Sequence, residues 1–258
     1  MSAPDTAALL DLAVEVATAA GAELLARRSD AGAVAYKTSN TDPVSEADRA
    51  SERLLVDALL SARPDDGLLG EEGAARRGTS GLRWVVDPLD GTVNYLYGLG
   101  DWAVSVACED DRGALVGAVH DPLRQETFHA ARGLGAHCGD RPLAVNDPVA
   151  LARALVATGF SYDAEHRAEQ AGVVAILLPK IRDIRRAGGA ALDLCAVASG
   201  RVDGYYEDST QRWDWAAGAL IAAEAGATVT PLGGGLMAAG PALHASLAAA
   251  LAEARSGT

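Results

Sequence analysis

The chain has 258 residues, of which 49% are hydrophobic and 22% charged, a balance typical of a folded globular protein. This length is enough to bury a sizeable core, and we predict one domain over residues 1–258 with two intimate halves, 1–147 and 148–258. The formal net charge of −13 argues against nucleic acid and an anionic membrane as main partners, since both select basic surfaces. A small phosphate-bearing substrate stays open, because metal ions can supply positive charge locally.

Two features of the sequence favour a cytoplasmic protein. The three cysteines are too widely spaced for a zinc motif or a disulfide framework, which favours reduced thiols at Cys108, Cys138 and Cys195. The first predicted helix, residues 6–27, is rich in Ala and Leu, but acidic residues interrupt it. We therefore expect an amphipathic helix rather than a signal peptide or a membrane span.

A second helix is predicted from Glu46 to about Ala62, and the segment that begins at Asp42 leads into it. Ser45 and Asp48 stand three residues apart, as in a variant of the helix-capping box. A capping role and a catalytic role are compatible for these side chains, so both interpretations stay open.

An acidic turn follows this helix. Leu68 and Leu69 predict a short strand that ends at Gly70-Glu71-Glu72-Gly73. One of the two glutamates could point at a metal ion, although an isolated pair of glutamates in a loop is usually solvated.

The sequence WVVDPLDGTVN at 84–94 carries the strongest chemical signal in the chain. We predict that a buried strand delivers Asp87 and Asp90 onto a turn marked by Pro and Gly, with the hydroxyl of Thr92 two residues later. At about 5 Å and an effective dielectric near 20, two such carboxylates repel by roughly 3 kcal/mol. A bound divalent cation is the simplest compensation, and two metals side by side could hold both oxygens of a phosphoryl displacement.

The remaining elements indicate a mixed α/β chain. Strands are predicted at 83–86, 103–107, 114–119, 126–131, around 156, and at 182–185, 202–206 and 228–230. Further helices are predicted at 164–178, 190–199, 215–225 and 241–254, after a crossing between the halves at 142–148. We expect a hairpin turn at Asp110-Asp111, a flexible loop from Gly233 to Gly235, and a surface position for Asp193 on its helix.

Two more acidic positions stand at element ends in the second half. Asp214 opens a helix, where Asp usually serves as a cap, but its neighbours Trp213 and Trp215 indicate a more enclosed carboxylate. Glu207 ends a strand and could meet substrate hydroxyls or solvent.

Together these pieces resemble the inositol monophosphatase family of lithium-sensitive, magnesium-dependent phosphatases. The resemblance extends from Lys37 to Gly226 and rests on Asp42-x-Val44-Ser45-x-x-Asp48, Gly70-Glu71-Glu72, the segment 84–95, Arg186-x-Gly188-Gly189-Ala190-Ala191-Leu192, the segment 204–207 and Trp213-Asp214-x-Ala216-Ala217-Gly218. It implies a layered α-β-α-β-α fold of the inositol monophosphatase/fructose-1,6-bisphosphatase type. It also implies hydrolysis of small phosphate monoesters, above all inositol 1-phosphate, and a homodimer that lithium inhibits.

The resemblance also implies residue roles by position. Two or three Mg²⁺ ions would be held by Glu71, Asp87, Asp90, Asp214 and the carbonyl of Leu89, most of them in the 1–147 half. The catalytic set would be Thr92, Asp48, Glu71 and Asp90, with Thr92 and Asp48 orienting a metal-activated water. The substrate contacts would be Asp90, Gly91, Thr92, Gly189, Ala190, Glu207 and Asp214, the last four from the 148–258 half. Lys37 matches a lysine near the family's site and could equally be a solvated loop residue.

Some positions depart from the family pattern. Gly189 stands where relatives often carry Ser or Thr, which can remove one polar contact to the substrate. A lysine in place of Val93 would have suggested a histidinol-phosphate relative, so Val93 favours the inositol type. The alternative substrates are fructose 1,6-bisphosphate, a nucleotide 3′-phosphate and histidinol phosphate.

A binding protein is the competing class. A catalytically silent, metal-loaded module with a macromolecular partner would be expected to lack a metal carboxylate or the pair Thr92 and Asp48. Every one of these residues is present in the sequence, which favours the enzyme.

Overall fold

The computed structural model describes residues 5–28 and 46–257, together with the backbone of 35–36 and 43–44. The expectations for Lys37, Asp42 and Ser45 concern residues outside these ranges. The α-helices are α1 (Thr6–Arg27), α2 (Glu46–Ala62), α3 (Thr92–Leu96), α4 (Ala164–Leu177), α5 (Ala190–Ala198), α6 (Arg212–Glu224) and α7 (Pro241–Ser256). None of the described helices combines the length and the apolar character needed to span a membrane.

The strands form three sheets. They are β1 (Ala35–Tyr36), β2 (Pro43–Val44), β3 (Gly67–Gly70), β4 (Ala75–Arg76), β5 (Arg83–Asp90), β6 (Ala103–Asp110), β7 (Gly113–Asp121), β8 (Glu126–Ala131), β9 (Ala136–Cys138), β10 (Arg141–Pro142), β11 (Leu155–Thr158), β12 (Asp183–Arg185), β13 (Gly204–Glu207), β14 (Thr228–Leu232) and β15 (Gly235–Ala239). The large sheet has the order β10-β9-β8-β7-β6-β5-β3-β4, the smaller one β12-β11-β13-β15-β14, and β1 pairs with β2. Parallel pairing occurs between β3 and β5 and between β11 and its neighbours β12 and β13.

The sheets and helices stack in five layers. Helices α1 and α2 cover one face of the large sheet, α5 and α6 lie between the two sheets, and α4 and α7 cover the outer face of the smaller sheet. This arrangement confirms the predicted α-β-α-β-α architecture.

Strand β5 is buried on both faces, because helices cover the large sheet on both sides. Trp84 and Val86 pack into the cluster under α1 and α2, whereas Val85 packs into the cluster with α5 and α6. This alternation is what the period of two along a strand dictates. The continuous apolar run before the two aspartates is therefore the signature of a central strand.

The structure corrects the predicted end of this strand. Pairing with β6 continues to Asp90 rather than stopping at Val86, with a register shift between Asp87 and Asp90. The two carboxylates consequently belong to an irregular strand end and not to an open turn. An extra residue or register shift of this kind re-aims side chains, and such irregularities occur often beside active sites.

Two further expectations are wrong. The glycines at 233–235 do not form a flexible loop, because Leu232 pairs with Gly235 across a tight hairpin that leads into β15. Strand β15 gives no alternating signal, since all five of its residues are buried. Asp193 is not on the surface: it is 4% exposed, because its helix α5 lies between two sheets.

Candidate active site

The parallel pairing of β3 and β5 brings the first two acidic motifs together. Gly70 lies opposite Val86 in the register, so the next residues of the two strands, Glu71 and Asp87, follow at the same edge of the sheet. Sequence spacing predicted both residues separately, and the sheet register explains why they become neighbours.

The turn after β5 is shaped by backbone contacts. The backbone N–H of Leu89 donates to Asp87 Oδ1 at 2.9 Å, which fixes that carboxylate against its own strand end. Gly91 has φ 90°, and a Cβ there would lie 2.8 Å from the carbonyl oxygen of Asp101. Only glycine fits this left-handed and crowded position readily, and it directly precedes α3, which begins at Thr92.

Helix α2 supports this turn from behind. The Thr92 hydroxyl lies 3.0 Å from Asp48 Oδ1 and 3.1 Å from the Leu89 carbonyl oxygen, and its single proton can serve one of them at a time. Ser51, one turn after Asp48, donates its hydroxyl to the carbonyl of Pro88 at 2.8 Å. Both α2 side chains are buried, so the turn is held by a rigid element.

The second half of the chain closes the site from the other side. The backbone N–H of Ala191, in the first turn of α5, donates to Asp90 Oδ2 at 2.8 Å. Asp214 is the third residue of α6 and accepts the backbone N–H of Gln211 at 2.7 Å, so it is the inner partner of a capping box whose N-cap is Gln211. Glu207 ends β13, the strand parallel to β11.

One cavity of about 570 Å³ unites most of the predicted site residues. Its wall includes Glu71, Asp87, Leu89, Asp90, Gly91, Thr92, Ala190, Glu207 and Asp214. Gly189 adjoins this wall, since a Cβ there would lie 2.8 Å from Asp90 Oδ2. Asp48 reaches the site through the Thr92 hydroxyl. The structure thus assembles in one place the residues that the family resemblance assigned, Lys37 lying outside the described ranges.

The cavity is strongly unfavourable for free carboxylates. Burial raises the pKa of Asp87 well above its ordinary value, and the charges of Glu71, Asp90 and Asp214 raise it further. Burial also raises the pKa of Asp90, followed by the charge of Asp214, while the Ala191 N–H opposes the shift. The pKa of Glu207 rises to about 7, mainly through burial.

These carboxylates share the cavity without forming a closed ligand shell. Within the described ranges, no three His, Cys, Asp or Glu side chains are close enough together to hold a metal ion as they stand. What the structure provides is a cavity wall in which several carboxyl groups lie side by side, with Asp87 and Asp90 buried.

Three residues near the cavity were missed by the sequence reasoning. Glu52 accepts the Glu72 backbone N–H at 3.0 Å and so holds the acidic turn against α2. Arg186 lies in the cavity wall, and Asp193 is buried close enough to Glu207 for their charges to interact. Glu52 and Asp193 interact with residues distant in sequence, so spacing alone carries no signal for them. Arg186 falls within a matching family segment, but the sequence does not show that it reaches the cavity.

Comparisons with known proteins agree with this fold and show the family of the chain. Residues 5–257 match the inositol monophosphatase family. An inositol-1-monophosphatase from Mycobacterium leprae (strain TN) is 44% identical, over 93% of this chain and 92% of that protein. A protein called Nus factor SuhB from Pasteurella multocida (strain Pm70) is 40% identical, over 88% of this chain and 86% of its own.

Solved structures share the fold of this chain. The crystal structure of extragenic suppressor protein suhB from Bartonella henselae superposes with a TM-score of 0.89 at 36% identity, covering 95% of this chain and 98% of that one. The family match and the relatives named inositol-1-monophosphatase make this chain a phosphoric monoester hydrolase. The chain belongs to the inositol monophosphatase family.

Proposed function

We propose that this protein hydrolyses small phosphate monoesters in a magnesium-dependent reaction, with inositol 1-phosphate as the preferred substrate. The observation that carries the proposal is the burial of Asp87 and Asp90 in one cavity with Glu71 and Asp214. Four carboxyl groups kept together at this energetic cost need a positive counterpart.

The donor chemistry of these residues suits such an ion. Hard divalent cations prefer oxygen ligands, and the lining offers four carboxylates and the carbonyl of Leu89. We propose that Glu71, Asp87, Asp90, Asp214 and the Leu89 carbonyl hold two or three Mg²⁺ ions. Bound magnesium would lower the pKa of a water molecule and neutralise the departing alkoxide.

The pair of Thr92 and Asp48 would handle the proton of the attacking water. Thr92 lies in the cavity wall, and its hydroxyl donates to the buried Asp48 carboxylate at 3.0 Å. A hydroxyl in this position can accept a hydrogen bond from water while donating its own proton to Asp48. Asp48 would thereby orient the water and favour its deprotonation.

The substrate would lie between the two halves of the chain. Backbone N–H groups of Gly91 and Thr92, at the turn into α3, would face the phosphate with Asp90 beside them. The organic part would then contact Gly189, Ala190, Glu207 and Asp214 on the opposite wall. Because Gly189 has no side chain, its own contact to the organic part could come only from its backbone.

Two alternatives have different support. Fructose 1,6-bisphosphate, a nucleotide 3′-phosphate and histidinol phosphate would use the same carboxylates, and the loops that distinguish them give no separate signal. Some relatives are called Nus factor SuhB, which raises a role as a binding module for a macromolecular partner. Retention of all four carboxylates and of the pair Thr92 and Asp48 favours catalysis.

The setting of this activity is also proposed. We infer a cytoplasmic homodimer with no nucleic-acid or membrane partner, from the family resemblance, the spacing of the cysteines and the net charge of −13. Lithium inhibition is expected from the same resemblance.

Phosphate release from a panel of monoesters tests the substrate assignment. The panel contains inositol 1-phosphate, fructose 1,6-bisphosphate, 3′-phosphoadenosine 5′-phosphate and histidinol phosphate, each with saturating Mg²⁺. The highest kcat/KM on inositol 1-phosphate supports the proposal. A higher kcat/KM on another ester would make that ester the assigned substrate. No turnover of any ester by folded protein favours the binding module.

A further inference from the structure

Asp208 directly follows Glu207, the last residue of β13. Consecutive residues of a strand point to opposite faces of its sheet, and these two side chains follow that rule at the strand end. Glu207 lines the cavity, whereas Asp208 is not among the described residues of the cavity wall. The Asp208 carboxylate reaches α4 and α7, on the outer face of the smaller sheet. Asp208 therefore lies behind the wall that Glu207 lines.

Three side chains surround the Asp208 carboxylate. Gln170 Nε2 donates to Oδ1 at 2.7 Å, and His166 Nε2 lies 3.1 Å from the same oxygen. Arg255 Nη2 donates to Oδ2 at 2.6 Å. His166 and Gln170 belong to α4 and Arg255 to α7, so one carboxylate joins both helices to the end of β13. Because the Asp208 side chain is only 20% exposed, water screens these contacts less than on an open surface.

The amide of Gln170 links Asp208 to the backbone of Ser161. Gln170 is 8% exposed, and its Oε1 accepts the Ser161 N–H at 2.8 Å while its Nε2 donates to Asp208. An amide has its acceptor and its donors on opposite sides, so these two bonds together fix its orientation. Arg167 Nη1 donates to the Ser161 carbonyl at 2.9 Å, so two α4 side chains hold the peptide groups of this residue. Loss of the Asp208 carboxylate would remove the acceptor that orients Gln170.

Ser161 lies in the middle of a cavity-wall segment, residues 159–163. This segment runs from the end of β11 to Asp163, the N-cap of α4. Its first residue, Gly159, packs directly on Glu207, because a Cβ there would meet the Glu207 carboxylate. The segment and Glu207 therefore line the same part of the cavity, the part proposed to contact the organic portion of the substrate.

We propose that Asp208 is a positioning residue that, through Gln170, sets the segment 159–163 against the organic portion of the substrate. This inference rests on the proposed phosphatase function. The hydrogen bonds of the Asp208 side chain go to α4 and α7 and not to the carboxylates proposed to hold Mg²⁺. Its loss therefore weakens recognition of a polyol phosphate more than it slows the chemical step.

Two esters separate positioning from general damage to the protein. Inositol 1-phosphate carries a six-carbon polyol, whereas methyl phosphate carries a single carbon and offers the wall segment almost nothing to contact. For each ester, kcat and KM are measured with saturating Mg²⁺ on the wild type, Asp208→Ala, Asp208→Asn, Gln170→Ala and the double variant of Asp208→Ala with Gln170→Ala. Thr230→Val is the control: Thr230 Oγ1 lies 2.9 Å from His244 Nε2 and also ties α7 to the smaller sheet, but Thr230 is not among the described residues of the cavity wall.

Asp208→Ala is expected to raise KM for inositol 1-phosphate about tenfold, the effect of one lost charge-assisted hydrogen bond, and to change kcat much less. Asp208→Asn should fall between, because its amide oxygen can still accept from Gln170. The double variant should match Gln170→Ala, since Asp208 acts through Gln170. KM for methyl phosphate should not change, and Thr230→Val should match the wild type on both esters. An unchanged KM for inositol 1-phosphate, equal losses on the two esters, or additive effects in the double variant would overturn the proposal.

Amide hydrogen exchange of the protein without substrate separates this inference from the proposed function. The Ser161 N–H should exchange about tenfold faster in Asp208→Ala than in the wild type, because Gln170 no longer holds it, and Thr230→Val should leave its rate unchanged. If the wild type releases phosphate from neither ester, the proposed function is wrong, and the exchange rate of Ser161 then decides whether Asp208 positions the segment. Faster exchange in Asp208→Ala supports that role, and an unchanged rate rejects it.

Discussion

Asp90 is the side chain at which the two halves of the chain meet. It ends β5 in the first half and accepts the Ala191 N–H of α5 in the second. Its carboxylate is buried beside other carboxylates, so its negative charge matters more than its size. An isosteric change that removes the charge therefore tests its role as a metal ligand.

Asp90→Asn is expected to lower kcat by several orders of magnitude while the fold survives, because the amide replaces an anionic ligand of similar shape. Phosphate release at saturating Mg²⁺ and a thermal unfolding curve measure the two effects. Asp111→Asn, in an exposed turn, is the matched control and should behave as the wild type. Near-normal turnover by Asp90→Asn would remove this residue from the metal site.

Thr92 gives a second test at this scale. Thr92→Ala should lower kcat more than it raises KM, since its hydroxyl is proposed to act on the attacking water through Asp48. Thr92→Ser keeps the hydroxyl and should retain most of the activity. Steady-state kinetics that showed a pure KM effect in Thr92→Ala would mean that Thr92 contributes to binding alone.

Individual acidic residues of the candidate site were the features that the sequence predicted best. Glu71, Asp87 and Asp214 stand at element ends, where an unexplained acidic residue is visible in the sequence itself. Asp193 shows the limit: its burial depends on a second sheet packing over α5, and no local pattern reports that. Their roles in metal and substrate binding stay predictions until variants are measured.

At the scale of elements, the hairpin of β6 and β7 is secured by an ion pair. Arg132 donates Nη1 to Asp110 Oδ2 and Nη2 to Asp110 Oδ1, each at 2.9 Å, and the Arg112 backbone N–H adds a bond at 2.8 Å. The Arg132 hydrogen bonds hold the pKa of Asp110 well below its ordinary value. The carboxylate is therefore more favourably charged in the folded than in the unfolded chain.

This difference predicts how stability depends on pH. Asp110→Asn should lower the free energy of unfolding by about 1 to 2 kcal/mol at pH 7. The contribution of a depressed pKa is present above the unfolded value, near 3.9, and is lost as pH falls toward the folded value. Urea unfolding at pH 7 and pH 3 should show the gap between wild type and variant narrowing at pH 3.

Asp140→Asn, on an exposed surface, serves as the control for that comparison. It should match the wild type at both pH values. A gap for Asp110→Asn that stayed constant down to pH 3 would show that the hairpin does not depend on the charge of Asp110.

Elements with a clear period were predicted within a few residues. Helices α1, α2 and α4 follow the 3.6-residue pattern, and β6 to β8 are separated by recognisable turns. The short strands β4, β9 and β10 and the fully buried β15 were missed. Two- and three-residue strands have no period to detect, and a strand buried on both faces does not alternate.

At the scale of the whole molecule, Asn94 joins distant parts of the chain around the cavity. Its Nδ2 donates to the carbonyls of Asp101 and Ala187, both at 2.8 Å. The first lies in the loop beside Gly91 and the second in the turn that carries Gly188. One amide group therefore ties the turn at Gly91, proposed to face the phosphate, to the segment around Gly188 on the opposite wall of the cavity.

Asn94→Ala should lower the free energy of unfolding by about 1 to 3 kcal/mol, because it leaves carbonyl groups without their donor. It should also reduce kcat/KM, because the segments at Asp101 and Ala187 would no longer be held together on either side of the cavity. Asn146→Ala is the control: Asn146 likewise donates to two acceptors, at Gly200 and Asp203, but outside the cavity wall. If both variants lost activity equally, general destabilisation would explain the effect.

The layered architecture was predictable only through resemblance. The order of elements in the sequence is compatible with a mixed α/β fold, but the placement of α5 and α6 between two sheets depends on contacts between remote segments. The division into halves at 147 and 148, the homodimer and the cytoplasmic location stay predictions.

The most direct test of the account is the metal dependence of phosphate release from inositol 1-phosphate. Protein treated with EDTA and freed of chelator is assayed before and after addition of Mg²⁺, with circular dichroism to confirm that it remains folded. We predict no turnover before addition and full recovery afterwards, since buried carboxylates alone repel a phosphate. Undiminished turnover by the metal-free protein would contradict the proposed magnesium site.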